Sequence, residues 1–76
     1  MDNTERIQNE INHMQVRLFR LAWEKWKISR DRCADLFEQY NVDDYINASY
    51  EFFHIQGDNA NLEELKEYLC SKGAKI

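Results

Sequence analysis

The sequence predicts an all-α fold: a small four-helix domain with a long first helix and a buried central third helix. Three observations carry this. Apolar residues recur at spacings of three and four along most of the chain, the period of an amphipathic helix. There is no proline and no strand-like alternation of useful length. Finally, the stretch from Asp43 to Gly57, DDYINASYEFFHIQG, holds Tyr45, Ile46, Tyr50, Phe52, Phe53 and Ile55. Wound as a helix, these six with Ala48 cover well over half of the circumference, and Asp44, Asn47, Glu51 and His54 fill one narrow polar stripe. A helix with so little polar surface is expected to be covered on several sides.

Taken in order, residues 1–4 read as a frayed start with Asn3 or Thr4 as N-cap, residues 5–73 as one helical domain, and residues 74–76 as a tail. The first helix runs from about Glu5 to about Lys27 and carries the stripe Ile7, Ile11, Met14, Leu18, Leu21 and Ala22. Its second half carries another stripe, Val16, Phe19, Trp23 and Trp26, over 100° around from the first. Ser29 caps the second helix, about Arg30 to Tyr40, with Cys33, Leu36, Phe37 and Tyr40 inward. Asn41 can take the left-handed conformation that ends a helix, and Val42 can fold back on its last turn. Asp43 or Asp44 caps the central helix and Gly57 terminates it. Asp58 to Asn61 reads as a polar turn, with Asn61 and Glu64 as a capping box for a last helix from about Leu62 to Ser71. Leu62, Leu65, Tyr68 and Leu69 face inward, and Gly73 stops that helix.

At 76 residues, 43 % of them apolar, the chain can build one core in one domain. Its net charge of −4 is segregated. Arg17, Arg20, Lys25, Lys27, Arg30 and Arg32 crowd one segment, whereas Cys33 to Leu65 holds eight acids and no Lys or Arg. The acidic half disfavours nucleic acid, whose phosphates need cations. Cys33 and Cys70 are isolated thiols with neither zinc-ligand nor redox spacing. Without an apolar run of membrane-spanning length or a leader, the expectation is a soluble, cytoplasmic protein in a reducing compartment, with no membrane partner.

Several constellations suggest chemistry and give way to simpler readings. The segment from Ser29 through the Asp44 helix superficially resembles a helix–turn–helix. However, its second helix has no Lys or Arg and opens on two acids, so two packed helices are the better reading. Glu10–His13 and Glu51–His54 each have the Glu-x-x-His spacing of carboxylate-bridged metal bundles, yet neither pair lies on its helix's apolar stripe, so surface histidines are expected and no metal. No glycine-rich elbow or phosphate loop accompanies the cysteines, since the only glycines are Gly57 and Gly73. No enzyme activity and no cofactor are therefore expected. The aromatic stripe remains. It is either core, covered by the last or second helix, or a partner-binding patch formed by Val16, Phe19, Trp23 and Trp26 and rimmed by Arg20 and nearby cations. Trp and Arg are the types enriched at interface hot spots.

From about Val16 to Lys72 the chain resembles a family of very short, all-helical bacterial proteins of unknown function. The resemblance is carried by Leu36-Phe37, Tyr40, Val42, Asp44-Tyr45-Ile46, Tyr50, His54, Gly57, Leu62, Leu65 and Tyr68-Leu69. It implies an all-α fold with no assigned activity, and for His54 a capping bond near the end of the central helix. It also implies genes near those of proteins similar to ADP-ribosyltransferases, hence an antitoxin-like partner of a neighbouring enzyme. The chain departs from the pattern between Trp23 and Trp26 and in its long polar start.

The reading that unites these observations is a protein–protein interaction module whose partner is another protein. The alternative is a self-associating homodimer in which the long helices pair through the same stripe.

Overall fold

The computed structural model describes residues 3–76. Among them are five helices and no strand: α1 (Asn3–Lys25), α2 (Arg30–Gln39), α3 (Val42–Ala48), α4 (Tyr50–Phe53) and α5 (Asp58–Ser71). The domain is thus all-α with a long first helix. At 1.5 Å per residue α1 spans about 34 Å, and it sets the long axis of a molecule measuring 40 × 20 × 19 Å. It packs against α2, α3 and α5.

The first stripe of α1 builds the core. Ile11, Met14, Leu18 and Ala22 are buried at spacings of three and four, while Ile7 is 44 % exposed. Cys33, Leu36 and Phe37 of α2, Val42 and Ile46 of α3, Phe53 of α4, and Leu62, Leu65 and Leu69 of α5 complete it. Tyr68 fastens the periphery: its ring stacks on Tyr45 at 4.0 Å and its hydroxyl donates to the Tyr40 carbonyl at 2.8 Å.

Two helix ends follow the local chemistry. Ser29 Oγ accepts from the Arg32 N–H at 2.9 Å, the expected N-cap of α2. Asn41 stands at φ 52°, and the following Val42 is fully buried. The end of α1 is less obvious from sequence. The helix ends at Lys25, the Trp26 N–H makes its last i→i−4 bond, Lys27 takes φ 56°, and the Ile28 N–H returns to the Trp23 carbonyl at 3.3 Å. This is a Schellman closure with lysine where glycine is usual. Gly73, at φ 99°, closes α5 in the same way, with the Ala74 N–H bonded to the Leu69 carbonyl at 3.0 Å.

Several expectations are corrected. Asn3 and Thr4 are already helical, so neither is an N-cap; the rest of the frayed-start reading falls on residues 1–2, outside the described residues. The central stretch is two short helices, not one, which makes five helices in place of four. Ser49, at φ −102° and ψ 10°, interrupts it. Asn41 occupies the N-cap position of α3, and Asp43 and Asp44 sit within its first turn. Of the six large apolar residues only Ile46 and Phe53 are buried; Phe52 is 50 % and Ile55 75 % exposed. A domain this small has too little interior to cover such a stretch on every side. Gly57 precedes α5 at φ −74°, an ordinary extended conformation, and ends no helix. The helix starts at Asp58, so Asn61 is buried within it rather than capping it.

Candidate functional site

The second stripe of α1 is divided by the fold. Phe19, Trp23 and Trp26 are partly buried against the core. Phe19 meets Phe37 edge-on, with ring centroids 5.2 Å apart. Trp26 lies just beyond α1, its N–H bonded to the Ala22 carbonyl and its indole Nε1 buried with no hydrogen-bond partner among the described residues. Trp23 and Trp26 therefore serve largely as the edge of the core. Val16 is different, at 70 % exposed, and Arg20 is exposed beside it.

Val16 forms a ridge between two depressions. On one side runs a groove between α1 and α2, lined by Gln15, Val16, Phe19, Ala34, Phe37, Glu38 and Asp43. Gln15 Nε2 donates to the Asp43 carbonyl at 2.9 Å and ties the groove's end to α3. Burial, and then the neighbouring Asp44 charge, raise the Asp43 carboxyl above its ordinary value. On the other side lie His13, Arg17 and Arg20. The groove thus has an acidic rim, and the far side of the Val16 ridge is basic.

The segregated charges meet across the α1–α5 contact. Arg17 Nε lies 3.2 Å from Asp58, and Lys25 Nζ lies 3.7 Å from Glu63 and 3.4 Å from Asn59 Oδ1. All are solvent-exposed, so each pair contributes little to stability. They register α5 on α1, and they leave Arg20 as a cation of the stripe outside this pairing.

A second cleft gathers residues that the sequence keeps far apart. Glu10, His13, Arg17, Tyr50, His54 and Gln56 line it, over Met14 and Phe53. The Tyr50 hydroxyl donates to the Glu10 carboxylate, and its ring stacks on His54 at 5.1 Å. That hydrogen bond is the main reason the Tyr50 phenol is raised above its ordinary value. His54 packs against Tyr50 and stands at the C-cap of α4, where its backbone N–H donates to the Tyr50 carbonyl at 2.8 Å, a capping bond near the end of the central stretch made by the main chain. The histidines of both Glu-x-x-His pairs share this cleft, whereas Glu51 faces the adjoining groove. Among the described residues no three His, Cys, Asp or Glu side chains converge as a metal-ligand group. The Glu10–Tyr50 pairing spans forty positions and left no periodic or motif signal in the sequence.

Burial holds Cys33 in its neutral thiol form. Cys33 is fully buried, its thiol faces the Phe19 carbonyl at 3.9 Å, and burial pushes its pKa up to about 11. Cys70 is exposed.

The fold and surface define a small all-α domain with grooves flanking one long helix. Residues 13–72 match the family described as protein of unknown function (DUF3791), and the chain belongs to that family. The match covers α2 to α5 and begins inside α1, so the projecting first turns of α1 lie outside it. The chain has no significant match among curated proteins or solved structures.

Proposed function

We propose that this chain is a small protein-binding module that takes a segment of another protein along the α1–α2 groove. The observation that carries the reading is Val16, a large aliphatic side chain 70 % exposed at the lip of a groove floored by Phe19, Ala34 and Phe37. An apolar anchor entering that groove would be desolvated at its centre, with Glu38 and Asp43 along one rim and Arg20 across the ridge. This is the arrangement of a hot spot inside a polar border. Of the residues expected from sequence, Val16, Phe19 and Arg20 form this surface. Trp23 and Trp26 line neither depression beside Val16 and pack against the core.

In this reading the chain acts without a cofactor and catalyses no reaction. It works in the cytoplasm, and neither nucleic acid nor a membrane is its target. In support, no described helix is long and apolar enough to cross a membrane. An antitoxin-like role beside a neighbouring enzyme, implied by the family resemblance, is the form of this reading with a ready first candidate.

The test is affinity capture from the native cell extract, comparing the unaltered chain with Val16→Arg. Position 16 is exposed, so the variant should fold, which circular dichroism would verify. Proteins retained by the unaltered chain and lost with Val16→Arg are the expected result, followed by titration of the purified partner. A folded Val16→Arg chain that keeps every partner would overturn the assignment of the groove.

A further inference from the structure

A different face of α1 is left open by the fold. From Asn3 to Glu10 every residue is exposed, and the first buried residue of the helix is Ile11. More than two turns therefore project beyond the core, and helical turns without tertiary cover are marginal in water. The exposed face is not uniformly polar. Ile7 (44 % exposed) and Phe52 (50 % exposed) line one depression together with Ile11, Ala48 and Tyr50.

The charges bordering this depression are of opposite sign and sit on different elements. Arg6 stands on α1, where its guanidinium donates to the neutral Asn3 side chain, and Glu51 stands on α4. Both line the groove that adjoins the depression, beside Ile7, Tyr50, His54 and Glu10, whose carboxylate is taken by the Tyr50 hydroxyl of the same chain. A partner of uniform charge would match one border and oppose the other. A second copy related by a two-fold axis matches both, because an isologous contact places α1 of each copy against α4 of the other.

We propose that a second copy of this chain docks on the Ile7–Phe52 face through a two-fold contact, with Arg6 of each copy paired to Glu51 of the other. Ile7 and Phe52 form the apolar centre, and the contact covers the projecting turns of α1. The patch is small beside the roughly 800 Å² per partner of a standard stable interface. The dimer is accordingly weak, with a dissociation constant in the range of about ten to a few hundred micromolar. The surface is separate from the Val16 groove, so a dimer could still take a partner there.

The experiment is sedimentation equilibrium at low salt, from about 1 µM to about 500 µM. The unaltered chain should pass from monomer to dimer across this range. Arg6→Glu places two acids at each contact and Glu51→Arg places two cations, so each variant alone should stay monomeric. An equimolar mixture of the two should associate, because every cross-contact is again one acid against one cation, and the doubly substituted chain should also dimerise. Both positions are exposed, so folding should survive, as circular dichroism would verify. An unaltered chain that is monomeric throughout would overturn the proposal. So would a dimer that neither single substitution weakens; if Val16→Arg then dissolved it, self-association would belong to the groove instead.

Discussion

The side-chain amide of Asn61 donates to the carbonyl oxygen of Phe53 at 3.0 Å, and its own carbonyl oxygen accepts from Gln56 Nε2 at 2.8 Å. One buried polar side chain thereby fastens α5 to the end of α4. It gives the Phe53 carbonyl, at the helix terminus, a shorter bond than the 3.4 Å one from the Gln56 backbone N–H. The Asn61→Leu variant would leave that carbonyl only its 3.4 Å bond from the Gln56 N–H, at a cost of about 1 kcal/mol. Urea unfolding followed by circular dichroism checks this. A midpoint equal to that of the unaltered chain would show that the bond is replaced by solvent.

The two cysteines should separate cleanly in reactivity. Cys70 should react promptly with a thiol reagent at pH 8, whereas Cys33 should react only on the timescale of opening. Mass spectrometry of the folded and urea-unfolded chain, reading one label against two, distinguishes them.

The same burial makes stability pH-dependent at the alkaline end. The Cys33 thiol ionises near 9.0 when unperturbed but only at about 11 in the fold, so the folded state holds this proton more tightly. Stability from the neutral thiol is full below pH 9 and is lost as pH rises toward 11, by up to about 2–3 kcal/mol. A Cys33→Ala variant, although less stable at neutral pH, should show a flatter loss between pH 9 and 11 in thermal unfolding.

Lys27 and Gly73 hold equivalent positions at the ends of α1 and α5, both with positive φ. Among the described residues, none beyond its two chain neighbours places an atom within 4 Å of where a Cβ would stand at Gly73, so the effect of substitution there is conformational. Lys27→Gly should stabilise the fold and Gly73→Ala should destabilise it, each by about 1 kcal/mol. Shifts in melting temperature of opposite sign are the expected result, and shifts of like sign would refute the argument.

What the sequence determined by itself was local. Ser29 at its cap, Asn41 and Gly73 at their left-handed positions, and the Ile11–Met14–Leu18–Ala22 stripe all depend on the helical period or on hydrogen bonds within one turn, and each is where the residues placed it. Tertiary structure decided which apolar residues win the limited interior. Ile46 and Phe53 enter it while Phe52 and Ile55 do not, and Trp23 and Trp26 close its edge while Val16 faces solvent. It also decided that Asn61 would serve inside a helix instead of at its start, and that Glu10 would meet Tyr50 and Arg17 would meet Asp58. These outcomes rest on how α1 crosses the rest of the chain. The residues involved are up to forty-one positions apart, far beyond the single turn over which side-chain spacing carries information.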